Sequence, residues 1–282
     1  MLPTLAPPPR PVPLSLRVLN IFNAGAVFGW LFFAFGMIFV WAFGANADFS
    51  FLTFAGQHPR VQGRVTQVEN TNASENKQRI TANHYQFSVA GKSFTGKSYS
   101  TGGQLEQDDD VTIEYDENNP ARSRIAGMRR AMFGPWVSFV ILFPLVGAVI
   151  AFFSMRGGPR RNRLLREGLL TTGKLVSKTA TNMTVNNRRV YELTFEFVAR
   201  DGRRGQASAR TSLVERLQDE ATEPLLYDPA DPNRAFMLDE VPTRPQIVNG
   251  ELQGRPVAAF FAALLPVGAL IVHGFVLWMY LR

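Results

Sequence analysis

Residues 91–98 hold the string closest to a known chemical motif, with Gly91, Gly96, Lys97 and Ser98 completing the spacing G-x-x-x-x-G-K-S. In a phosphate loop, such glycines let backbone amides wrap a polyphosphate at the start of a helix, and the lysine neutralises it. Here the string follows the alternating run Tyr85-Gln86-Phe87-Ser88-Val89 and leads into Ser98-Tyr99-Ser100-Thr101-Gly102-Gly103, which does not continue as a helix. With no buried parallel strand before it and no helix after it, the spacing predicts a glycine hairpin with outward lysines. A membrane-bound nucleotide-hydrolysing enzyme acting through Lys97 and Ser98 is the alternative.

Other chemistry-bearing groups are sparse. Glu106, Asp108, Asp109 and Asp110 lack the alternating D-x-D-x-D-G order of a calcium loop and read as a solvated turn before a strand. No cysteine is present, which excludes disulfides and thiolate chemistry, and the imidazoles are His58, His84 and His273. None of these has the H-E-x-x-H spacing of a zinc site, and no G-x-S-x-G elbow occurs. No cofactor is implied. Arg156, Arg160, Arg161, Arg163 and Arg166 form the densest basic cluster; its position directly after an apolar stretch points to lipid headgroups rather than nucleic acid.

The elements that must position these groups are dominated by three uncharged segments, at residues 18–43, 133–155 and 257–281. Each exceeds the ~18 apolar residues that cross a bilayer as helix. Pro135 suits a first turn, Pro144 and Pro266 predict kinks, and Gly25, Gly29 and Gly36 allow close helix contact. A cleaved signal peptide competes for the first segment through Arg10, Arg17 and the small-x-small string Ala45-Asn46-Ala47, but the apolar run is too long for one. An uncleaved anchor is expected. No Asp, Glu, Lys or Arg lies inside a spanning segment and His273 is the one imidazole there, which makes it a candidate for a proton-linked role.

The net charge of +7 does not lie on the first polar region, whose residues 45–132 carry ten basic and ten acidic side chains. Near the segment ends, nine arginines including Arg244 fall on the N-terminal side and seven on the other, while Trp41, Trp136 and Trp278 share the other interface. The expectation is a bacterial inner (plasma) membrane protein with its N-terminus cytoplasmic, its first polar region outside and its second inside. Residues 1–17, with six prolines, predict a disordered, solvated tail.

The two polar regions, 57–128 and 167–240, repeat with a spacing of about 110 residues. Gly63-Arg64-Val65 corresponds to Gly173-Lys174-Leu175, and Asn-rich loops follow at 70–76 and 182–187. Tyr85-Gln86-Phe87-Ser88-Val89 is set against Leu193-Thr194-Phe195-Glu196-Phe197. Hairpin turns follow at Gly91-Lys92 and Asp201-Gly202-Arg203. Both regions then carry Tyr-Asp-x-x-(Asn or Asp)-Pro-x-Arg: Tyr115, Asp116, Pro120 and Arg122 in the first, Tyr227, Asp228, Pro232 and Arg234 in the second. Such a string ends a strand in a tight turn, the Asp capping amides and the Pro fixing φ. Each region offers about five short strands, the content of a small partly closed barrel. The expected architecture is therefore three transmembrane helices and two five-stranded, partly closed β-barrel-like domains.

In its Gly-x-Val opening strand, Gly-Lys hairpin and Tyr-Asp-x-x-Asn-Pro turn beside a transmembrane helix, the chain resembles the membrane-anchored family called domain of unknown function 3592, present as two copies. The second copy departs from it, with Gly202-Arg203-Arg204-Gly205 in place of the Gly-Lys hairpin. The resemblance implies no catalytic residue, substrate or cofactor. The leading expectation is a non-enzymatic binding or scaffold protein at the membrane, with lipids and a protein as partners. A subunit of a transport assembly is a further alternative.

Overall fold

The computed structural model describes residues 5–103, 105–185, 187–217, 221–240 and 245–282. Residues 1–4 of the proline-rich tail, Asn186 of the second Asn-rich loop and Arg244 of the basic count lie outside the described residues. In chain order the elements are helices α1 (Leu14–Ile21), α2 (Ala24–Ala42) and α3 (Ser50–Thr53), then strands β1 (Arg60–Glu75), β2 (Gln78–Val89), β3 (Lys92–Thr101), β4 (Asp110–Asp116) and β5 (Asn119–Ile125). Helices α4 (Leu142–Met155) and α5 (Gly157–Glu167) follow. The chain continues through strands β6 (Leu169–Val185), β7 (Arg188–Val198), β8 (Arg204–Thr211), β9 (Glu223–Asp228) and β10 (Asp231–Met237). A two-stranded hairpin, β11 (Ile247–Val248) and β12 (Glu251–Leu252), precedes helix α6 (Pro256–Leu281).

Three helical stretches, Ala24–Asn46, Pro135–Glu167 and Pro256–Leu281, are long and apolar enough to cross a membrane, with mean hydropathies of 2.1, 2.5 and 2.2. Their large apolar side chains are bare, among them Phe28, Phe35, Phe152, Phe261 and Ile271. A helix apolar all round, left uncovered by protein, needs lipid around it. The first stretch begins later than the uncharged run 18–43. Asn23 accepts a hydrogen bond from the Ala26 amide at 3.1 Å and caps α2, so residues 18–21 belong to α1. The second opens as a 3-10 turn at Pro135–Ile141 before turning α-helical at Leu142.

Contacts divide the chain into two compact units, residues 35–144 and residues 1–34 with 145–282. The first unit holds an antiparallel sheet in the order β3-β2-β1-β4-β5. Its core is Val65, Tyr85, Phe87, Val111, Ile113 and Ile125, the inward residues of alternating strands. Gly63 sits where β1 is paired on both sides, and a Cβ there would meet Ile113 Cγ1 at 2.7 Å and the Gln86 carbonyl at 2.9 Å. A bridge pairs Ala47 with Phe133. Buried Asp48 accepts from the Ser50 hydroxyl at 2.8 Å and the Arg130 amide at 3.3 Å, which fixes the segment before the sheet to the segment after it.

In the other unit the sheet order is β10-β9-β6-β7-β8, around a core of Leu193, Phe195, Phe197, Leu225, Tyr227 and Met237. Its outer strands β8 and β10 lie side by side, so this sheet curls to nearly a barrel. In the first unit, the approach of β3 to β5 includes a bond from the Ile125 amide to the Ser98 hydroxyl, and that sheet is not closed. A second core of Leu16, Leu164, Leu165, Leu226, Phe236 and Leu252 packs α1 and α5 onto β9. Gly29 and Gly147 let α2 and α4 touch: a Cβ on either glycine would lie 2.8 Å from the other's carbonyl oxygen.

Two expectations are corrected. The tail is ordered over the described residues 5–17: the Ala6 amide bonds to the Gly250 carbonyl at 2.8 Å, Leu16 is fully buried, and Arg10 is 4% exposed. Prolines keep residues 5–13 out of helix without keeping Arg10 in solvent, and residues 14–17 begin α1. The repeat is also shifted by two residues in its second strand, since Val65 pairs with Tyr85 while Leu175 pairs with Phe195. Tyr85 therefore corresponds to Phe195, not to Leu193.

Candidate functional site

Arg10 is the residue from which a site can be built. Its guanidinium donates to the Leu165 carbonyl at 3.2 Å and the Gly168 carbonyl at 2.6 Å, and its amide donates to the Arg166 carbonyl at 3.0 Å. The last carbonyls of a helix have no partner within it and carry its negative dipole end, so a cation there is stabilising. Arg10 thereby fastens the segment before α1 to the end of α5. Burial pushes its pKa below the usual value.

A cleft of about 360 Å³ opens beside this contact, lined by Arg10, Pro11, Val12, Arg17, Asn162, Arg163, Arg166 and Glu167. Arg163 and Arg166 fall three residues apart on α5, so they share a face. Arg17 is held on the facing helix: Asn20 donates to Asn162 Oδ1 at 2.8 Å, and Asn162 donates to the Arg17 carbonyl at 3.1 Å. Glu167 takes a bond from Arg163 Nε at 3.1 Å, and Asp228 lies 3.9 Å from the same guanidinium. Of the five clustered arginines, Arg163 and Arg166 line the cleft. Arg160 and Arg161 do not, and Arg156 lies over the rings of Phe152 and Phe153 at 4.8 and 5.4 Å. By sequence alone Arg10 and Arg17 belong to a tail and a topology count, since two arginines around a proline run carry no signal of the fold-back.

The repeated turn is built as its residue types require. Asp116 Oδ1 accepts from the Asn118 amide at 3.0 Å, and Asp228 Oδ1 from the Ala230 amide at 3.0 Å. Tyr115 is half-buried and packs 6.0 Å from Phe87, whereas Tyr227 is buried, 5.2 Å from Phe197, its hydroxyl accepting from the Arg200 amide at 2.9 Å. Pro120 and Pro232 each stand second in their strands, and Pro232 covers Gly205. Arg122 is exposed, and Arg234 pairs with Asp231 at 3.1 Å. Apart from exposed Arg122, these residues are engaged in holding the turn.

The string at 91–98 forms the turn and strand of a hairpin, with Ala90 and Gly91 at positive φ and residues 92–101 laddered to β2. Lys97 is exposed, and the buried Ser98 hydroxyl accepts from the Ile125 amide at 2.9 Å. Asp109 Oδ2 accepts from the Glu106 amide at 2.8 Å, and Asp110 lies 3.4 Å from Arg64. Among the described residues no group of three His, Cys, Asp or Glu could hold a metal ion. His84 lies 3.5 Å from Glu69, while the ring of His273 meets that of Phe33 edge-on at 6.2 Å.

Each sheet also carries an arm. β1 pairs with β4 through Arg60–Arg64 and β6 with β9 through Leu169–Gly173, so the rest of either long strand is laddered to one neighbour alone. A shallow cleft of about 420 Å³ flanks the first arm, lined by Glu69, Asn70, Asn72, Lys97 and Tyr99 among others. The second arm instead exposes Val176, Met183 and Val185. Compared with family models, with curated proteins and with solved structures, the chain matches none.

Proposed function

We propose that this chain is a non-enzymatic membrane protein whose two β-domains bind partners through their long hairpin arms. The observation that carries this reading is the open edge of each arm. An unpaired strand edge accepts an added strand through main-chain hydrogen bonds, with alternate side chains setting specificity. What the two copies share serves the fold, namely Gly63 and Gly173, the paired turns, and matched threonine bonds at the arms. What differs is the chemistry of the arms: the first borders a polar cleft, whereas the second exposes Val176, Met183 and Val185 among its polar residues. Two partners of different chemistry follow.

In this reading the membrane is a bacterial inner membrane with the N-terminus cytoplasmic, the first domain outside and the second inside. Both copies belong to the uncharacterised family that their shared turn resembles. Arginines after the second span lie at lipid headgroups. Purification of the full chain from crosslinked native membranes tests the proposal. A stoichiometric protein lost when the first or second arm is shortened supports it, and recovery of the chain alone, or with copies of itself, overturns it.

A further inference from the structure

We propose that the cleft formed by the segment before α1, by α1 and by α5 binds one phosphate group through Arg10, Arg17, Arg163 and Arg166. The site is independent of what the β-domains bind.

Four arginines line this cleft with one carboxylate residue, Glu167, which is already bonded to Arg163. Asp228 stands near the same arginine, at 3.9 Å. Among the described residues neither Arg17 nor Arg166 has an ion-pair partner, and the bonds of Arg10 go to neutral carbonyls while its buried Nε–H has no acceptor. Gathering like charges is unfavourable unless an anion joins them. Phosphate suits the set, since it brings up to two charges and several acceptor oxygens to planar forks that bind such oxygens in pairs. The cleft's volume of about 360 Å³ is roughly ten times one water's share of the liquid, which leaves room for the phosphate and its ester substituent.

The backbone around the site is also fixed in advance. Arg10 is immobilised by the end of α5, and Asn20 and Asn162 tie the Arg17 backbone to the same helix. A backbone already held in place lowers the ordering cost of binding relative to arginines on a free segment. Because α5 continues from the apolar α4 after one intervening residue, the phosphate can come from a lipid headgroup or from a soluble monoester. Headgroup attraction by scattered charges would involve Arg160 and Arg161 equally; a cleft would not.

Equilibrium binding to the purified full chain in neutral detergent distinguishes these cases, with fluorescent short-chain phosphatidic acid as probe and phosphatidylcholine of the same chain length as control. Inorganic phosphate is the competitor, with chloride at equal ionic strength beside it. The expected result is saturable binding of one phosphatidic acid per chain, displaced by phosphate and not by chloride. Replacing Arg17→Gln with Arg166→Gln should weaken it by about tenfold or more, as loss of charge-assisted bonds implies, whereas Arg160→Gln with Arg161→Gln should change it by less than about twofold. Both pairs should leave the thermal melt unchanged, and Arg17→Lys with Arg166→Lys should restore part of the affinity. If the lipid binds far more tightly than inorganic phosphate the source is a headgroup, and if the two are comparable it is soluble; either supports the site. Absence of saturable binding, or equal losses in the two glutamine pairs, overturns it.

Discussion

Thr71 and Thr181, about 110 residues apart, make the same bond: each hydroxyl donates to the main-chain carbonyl nine positions on, Ile80 at 2.6 Å and Val190 at 2.8 Å. Each also accepts an amide two residues along, from Ala73 and from Met183, both at 3.3 Å. The ladder is interrupted at this place in both hairpins, between Asn70 and Ser74 and between Ala180 and Thr184. The threonine hydroxyl thus supplies to the backbone what the interrupted pairing leaves unmet.

Thr71→Val and Thr181→Val should therefore weaken their arms equally, by about 1 kcal/mol each, the net worth of a hydrogen bond. Hydrogen exchange at the amides of Ala73 and Met183 reads this directly. Unchanged protection in either variant would remove the bond from the account of that arm.

Arg10→Met should loosen the end of α5 by about 2–3 kcal/mol, because two bonds from a charged donor are lost and two helix-end carbonyls are orphaned. Limited proteolysis should then cut within residues 5–13 of the variant and should spare them in the unaltered chain. A solvated tail would be cut equally in both.

Glu114 sets an acid limit on the first domain. Burial alone would raise its carboxyl, but bonds from Arg60 at 2.7 Å and Arg124 at 2.9 Å hold it below its ordinary value of 4.5. A carboxyl lowered on folding adds stability above its unfolded value, and that contribution is lost as pH falls through the folded value. The first domain should destabilise progressively below about pH 4.5, and Glu114→Gln should flatten that part of the profile. A thermal-melt series across pH checks it; an unaltered slope in the variant would assign the acid loss to other groups.

Gly29→Leu should disrupt the α2–α4 contact, since its Cβ would meet the Ala151 backbone and the Gly147 carbonyl. A Cβ at Gly268 on α6 would meet nothing within 4 Å, and Gly268→Leu should be tolerated. Membrane-extracted yield and thermal stability separate the two, and equal tolerance would contradict close packing at Gly29.

Much of this organisation could be read from the sequence because its signals were strong. Lack of charge over more than twenty residues marks apolar helices, and the Tyr-Asp-x-x-Asn/Asp-Pro turn marks a duplicated domain. The break at Asn23 leaves no mark in the charge pattern, because asparagine is uncharged and 18–43 is an unbroken uncharged run. The two-residue misalignment of β7 has a similar cause. Strand side chains alternate with period two, so a shift of two leaves every residue on its own face and the pattern cannot detect it. The Thr71 and Thr181 bonds, with the pairings of Val65 and Leu175, fix the register. Arg10 and Arg17 could not be placed because their partners are carbonyls and a helix more than 140 residues away.

The most direct test of the binding account places a photo-crosslinking residue at Asn72 on the first arm and, separately, at Asn182 on the second, in living membranes. Both positions are exposed. The account predicts protein adducts from each position, with a different partner at each. Adducts to lipid or to the chain itself, with no other protein at either arm, would contradict it.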